Sequence, residues 1–128
     1  MERIERTALR NLIHNEDYSR KVLPFIKEEY FSDRLERLLF KEIYKFITKF
    51  NALPTKEALS IEINDSKDIT EDEYKKITDI IATLNPEKIN LEWLVETTEK
   101  FCKDRAIHNA ILGGIQIIDG KDKKHTPE

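Results

Sequence analysis

Turn-forming residues are scarce in this chain: three glycines and four prolines are spread over 128 residues. Tight hairpins draw on glycine for backbone angles that other residues avoid, so there is little material here for the turns of a sheet. The apolar residues instead recur at three- and four-residue intervals, which places them on one face of a helix. The expected fold is all-α: a compact bundle of about six helices with a long, protruding C-terminal helix.

Period and capping residues place these helices. Ile4, Ala8, Leu9, Leu12 and Ile13 form the apolar face of a first helix that ends near Asn15. A short second helix, Glu16 to Leu23, runs into Pro24, and Phe25, Ile26, Tyr30 and Phe31 then form a connection pinned into the core. Ser32 is expected to cap a third helix whose apolar residues, Leu35 through Phe50 and including Tyr44, cover more than one stripe. Such a helix belongs in the centre, with neighbours on several sides. Thr55 begins a fourth helix with Leu59, Ile61 and Ile63, and Thr70 with Glu73 writes a capping box for a fifth. Asn90 caps the sixth and longest helix, which is expected to reach Asp119, while GKDKKHTPE (120–128) reads as a flexible linker or a cut end.

Composition removes several classes of function. The 22 basic and 25 acidic side chains give a formal charge of −3, which exerts no long-range pull on nucleic acid or an anionic membrane. Arg34, Arg37 and Lys41 share one side of the third helix, but Glu36 and Glu42 are interspersed, and direct DNA binding is not expected. No apolar run is long enough to span a bilayer, and the N-terminus is charged rather than signal-like. The single cysteine, Cys102, excludes an internal disulfide and fits a reducing cytoplasm. With glycines only at 113, 114 and 120, no phosphate-cradling P-loop or dinucleotide fingerprint is present. His14, His108 and His125 are scattered, and Cys102 lies six residues before His108, about 240° away around a helix. No metal ligands, cofactor or catalytic residues are expected, and acidic pairs such as Glu28-Glu29 read as solvated surface.

The segment 92–118, EWLVETTEKFCKDRAIHNAILGGIQII, raises a different question. Ile107, Ile111, Ile115 and Ile118 fall at spacings of four, four and three on one side of the helix, beside a row of small residues, Ala106, Ala110 and Gly114. Burying four isoleucines is worth roughly 6–12 kcal/mol before entropy costs. A helix from Asn90 to Asp119 is about 40 Å long, whereas a globule of this size is about 30 Å wide. Its second half is therefore expected to protrude and to pair with another helix through this seam. Trp93 is a further possible partner anchor, although the reading preferred here packs it in the core beside Leu94.

Several ordered stretches carry a family resemblance: DYSRKVLPFIKEEYF followed by FKEIYKFITKF, then LPTKEAL, TEDEYKKITDII and EWLVETTEKFCKDRAIHNAI. Over about residues 4 to 118 the chain resembles the N-terminal domain of DnaB-type replicative DNA helicases, in the T-even-like (myovirus) phage branch. The resemblance implies a helical collar domain over 1–119, with 90–119 as one half of a protruding hairpin. It further implies a homo-oligomer, a dimer of the fragment and a hexamer of the full-length protein, that contacts primase and the helicase loader in the bacterial cytoplasm. The family's ATP- and Mg²⁺-dependent 5′→3′ motor lies in a C-terminal domain, and no residue of that motor maps onto these 128. The chain stops at Glu128, where the family adds a second hairpin helix, so an amino-terminal piece of a longer protein is expected. The rival readings are the helicase-binding domain of a primase, which resembles this fold, a small stand-alone phage dimerisation adaptor, and a metal-dependent hydrolase or nuclease.

Overall fold

The computed structural model describes residues 3–118, with the side chains of 114–118 excepted. Among the described residues the chain is entirely helical: α1 Ile4–His14, α2 Glu16–Val22, a 3₁₀ turn at Glu28–Tyr30, α3 Arg34–Phe50, α4 Lys56–Asn64, α5 Glu71–Thr83 and α6 Leu91–Ile118. The all-α bundle expected from the apolar period is the fold observed. The expected extension of the last helix to Asp119 and the segment 120–128 lie outside the described residues.

Helix starts follow the short polar residues of the sequence. Asn15, Thr55 and Asn90 accept from the backbone N–H of Tyr18, Ala58 and Trp93. Thr70 and Glu73 close the expected capping box, each side chain accepting from the other's backbone N–H at 3.1 Å. At α3 the cap is Asp33 rather than Ser32, because one Asp33 carboxylate oxygen accepts from both Leu35 N (2.8 Å) and Glu36 N (3.1 Å). A charged acceptor at the positive end of the helix outcompetes a hydroxyl. The same helix stops at Asn51, which takes the left-handed conformation (φ 53°) that asparagine tolerates among non-glycine residues.

α3 is the centre of the bundle, packed against α1, α4, α5 and the 3₁₀ turn. Leu39, Phe40 and Ile43 are buried along its inner face, and Phe40 stacks on buried Phe31 with ring centroids 4.9 Å apart. Tyr44 and Phe50, counted on sequence in the apolar coat of α3, are instead exposed: the side bearing Lys41, Tyr44, Lys45 and Thr48 faces no neighbouring helix, and Phe50 is the last residue of the helix. Ile61 of α4 is likewise exposed. The α1–α3 contact contains a fully buried carboxylate, Glu36, which receives Arg3 and Arg6, the latter at 3.1 Å. A second polar tie joins α2 to α6. The Thr98 hydroxyl donates to Leu94 O (2.7 Å), so its oxygen is left to accept from the buried Tyr18 hydroxyl at 2.8 Å. Burial pushes the Tyr18 phenol well above its ordinary range, which keeps it a neutral donor.

Candidate functional site

α6 is 28 residues long, about 42 Å at 1.5 Å per residue. Its first half is fastened to the bundle along one line, where Leu94, Thr98 and Cys102 are buried at four-residue spacing against α1 and α2. Phe101, half-buried, meets the Phe31 ring edge-on at 6.3 Å. This line continues through Ala106, which packs on the core, to Asn109, whose amide donates to Glu29 O at 3.3 Å.

The seam faces away from that line. Nine residues separate Thr98 from Ile107, about 900° at 100° per residue, so Ile107 points half a turn from the buried threonine. Ile107 is 59% exposed and Ile111 56%, with exposed Ala110 beside them; Leu112, 47% exposed, lies about five whole turns from Leu94, on the anchored side but past its last buried residue. Ala106 does not belong to this open surface, since its side chain is turned onto its own globule. A Cβ added at Gly113 would meet nothing within 4 Å. An interior helical glycine costs about 1 kcal/mol relative to alanine, and no contact within this globule requires one at 113. The side chains of Gly114, Ile115 and Ile118 lie outside the described residues. Leu112 was missed on sequence because it sits about 100° from Ile111, off the isoleucine row; its exposure follows only from seeing how far along α6 the bundle reaches.

Trp93 corrects the core reading. Leu94 turns inward and is fully buried, whereas Trp93 is 52% exposed. It lies about 40° around the helix from Ile107, on the same outward side and fourteen residues earlier. Cys102 is the small core residue expected, its thiol pushed up to about 12 by burial and then by the charge of Glu99. A protonated, buried thiol is neither a nucleophile nor a metal ligand at neutral pH. His108 is exposed on the other side of α6, and His14 Nε2 hydrogen-bonds Leu84 O at 2.7 Å, tying the ends of α1 and α5 together. His125 lies outside the described residues. Among the described residues no three His, Cys, Asp or Glu side chains converge as a metal site, and no helix is long and apolar enough to cross a membrane.

The basic residues of α3 are divided by use. Arg34 Nε donates to Glu73 at 2.7 Å, which holds that carboxyl below its usual range, and Arg37 Nε donates to Phe31 O at 3.0 Å. Lys41 and Lys45 stay on the open side, where with Tyr44 they border a groove that the sequence reading did not anticipate. The four-residue repeat of Lys41, Lys45 and Lys49 was its visible trace, but the opposite wall, from Leu23 to Glu28, is placed only by the fold.

No protein-family model matches the chain. It is 32% identical over 109 residues to the DnaB-like replicative helicase of Enterobacteria phage T4. That alignment takes in 85% of this chain but 23% of the helicase, so the chain spans less than a quarter of the relative it matches. Identity at this level over nearly the whole bundle, in a chain whose ordered segments already resembled that group, makes it a relative of the phage DnaB-type replicative helicases, in their N-terminal region.

Proposed function

We propose that this chain is the non-catalytic assembly and docking domain of a phage replicative DNA helicase, with α6 as one half of a helical hairpin that pairs between subunits. The observation that carries the reading is the outward apolar end of α6: Ile107 and Ile111 stand open on the side opposite the buried line Leu94–Thr98–Cys102, and Leu112 is open past the end of that line. A helix face of this kind is covered in a working assembly, and an identical face on a second copy is the partner that symmetry supplies. Ala110, exposed beside Ile107 and Ile111, has no bulk to keep a second backbone away. On this reading the full-length protein is a hexamer whose ATP- and Mg²⁺-dependent 5′→3′ motor is a separate domain, and the collar formed by these bundles receives primase and the helicase loader in the host cytoplasm. The fragment itself turns nothing over.

Sedimentation equilibrium of the 128-residue chain tests the pairing. A monomer–dimer equilibrium is expected, and a monomer at every concentration up to the millimolar range would overturn it. The rival reading as a primase's helicase-binding domain predicts a polymerase-type domain in the same reading frame, where the helicase reading predicts a P-loop motor.

A further inference from the structure

We propose that the groove between α3 and the chain joining α2 to the 3₁₀ turn is a docking site for an acidic amphipathic helix of another protein. The proposal deepens the docking half of the reading above and does not use the α6 seam. The groove encloses about 440 Å³, within the range of sites that take side chains from a ligand. Its surface is apolar: Ile26 and Phe40, both buried, form the floor, and the Tyr44 ring, 42% exposed, stands at one side.

Charge is concentrated at the rim. Lys27 stands on one wall and Lys41 with Lys45 on the other, against a single lining carboxylate, Glu28. Three cations and one anion give this groove a charge of +2 in a chain whose formal charge is −3. The side chains of Lys27 and Lys41 have no ion-pair or hydrogen-bond partner among the described residues. Lys45 pairs with Glu42 at 3.2 Å, an exposed i,i+3 contact that yields readily to another carboxylate. Lys41 and Lys45 are one helical turn apart, about 6 Å along α3. Carboxylates one turn apart on a helix laid alongside repeat at the same distance, with its apolar stripe turned down into the groove.

Nucleic acid fits this surface less well. A phosphate backbone gains nothing from an apolar floor, and Glu28 and Glu42 lie among the cations that would have to receive it. The chain's own residues 119–128 have no large apolar side chain to fill the floor.

Fluorescence anisotropy with three labelled probes decides the matter. One is a 16-residue helical peptide with a leucine stripe flanked by glutamates; the second has lysine at every glutamate; the third is a 16-nucleotide single-stranded DNA. The glutamate peptide is expected to bind saturably, at least about tenfold more tightly than the lysine peptide. The double variant Lys27→Glu/Lys41→Glu should invert that preference while leaving the far-UV circular dichroism and the self-association of the chain unchanged. Equal binding of both peptides, binding of neither, or a preference that survives the double variant would overturn the proposal. So would DNA binding that the same substitutions abolish, which would make the groove a nucleic-acid surface. Because sedimentation of the same variants reports the α6 pairing separately, the groove assignment can fail while the assembly reading stands.

Discussion

Replacing Ile111 by lysine places a charge at the middle of the exposed α6 surface and touches nothing else. The magnitude follows from exposure. Fully burying an isoleucine is worth about 1.5–3 kcal/mol, and 56% of Ile111 is still in water, so pairing has about 0.8–1.7 kcal/mol per copy to gain there. A two-fold symmetric contact contains the position twice, which makes the loss about 1.7–3.4 kcal/mol and the dissociation constant about 20- to 300-fold weaker. Helix content should not fall, because lysine is at least as good a helix former as isoleucine and the site is open. Sedimentation equilibrium over a hundredfold concentration range measures the constant, and circular dichroism with a thermal melt checks the fold. Ile61→Lys is the control: an equally exposed isoleucine on α4, away from the seam, whose replacement should leave association as it was. If Ile111→Lys and Ile61→Lys weaken association equally, or neither does, the seam is not the contact. If Ile111→Lys unfolds the domain, the residue is core.

Removing the cations from Glu36 should cost more than removing Glu36 itself. The double variant Arg3→Met/Arg6→Met strands a fully buried carboxylate and should lose about 3–5 kcal/mol in urea unfolding, whereas Glu36→Met frees two part-exposed guanidinium groups that turn to water; equal losses would contradict this. The Cys102 thiol, raised to about 12 in the fold against about 8.5 in an unfolded chain, stays protonated longer when folded, so its contribution is complete below about pH 8.5 and is lost as the pH climbs towards 12. Urea melts between pH 8 and 10 should therefore fall more steeply for the native chain than for Cys102→Ala, and parallel slopes would rule the linkage out.

Much of the bundle was legible in the sequence because local chemistry and packing agree there. Thr70 and Glu73 announce the start of α5, and the apolar period of α1 and α5 names their buried faces. What was not legible depends on which side of a helix receives a neighbour. Tyr44 and Trp93 carry the same apolar bodies as core residues; periodicity put Tyr44 in the apolar coat and the preferred reading packed Trp93 beside Leu94, yet each lies where no helix packs. The Asp33 cap turned on a difference between two adjacent good cappers, which sequence alone ranks poorly. Along α6 the spacing of Ile107 and Ile111 placed both on one exposed side, but Ala106 belongs to the anchored side, a distinction of about 100° that only the position of α1 and α2 resolves.

The two surfaces suited to partners sit on different supports, and that separation is a consequence of how the core is divided. The buried residues of α6 end near Cys102 because the bundle is no wider than that; beyond it the helix is held by Ala106 and the Asn109–Glu29 hydrogen bond. Further apolar surface on the same rod adds nothing to the domain's own stability, and Ile107 and Ile111, half a turn from the anchoring line, are the surface that the proposed pairing buries. The lysine-rimmed groove is made by α3, the most enclosed helix of the bundle. Its floor residues Ile26 and Phe40 are fixed by the same packing that seats Phe31. A partner docked there need not disturb α6, and a paired α6 need not close the groove. If both proposed contacts form, they are independent, and variants at Ile111 and at Lys27 with Lys41 should accordingly show additive rather than coupled effects when combined.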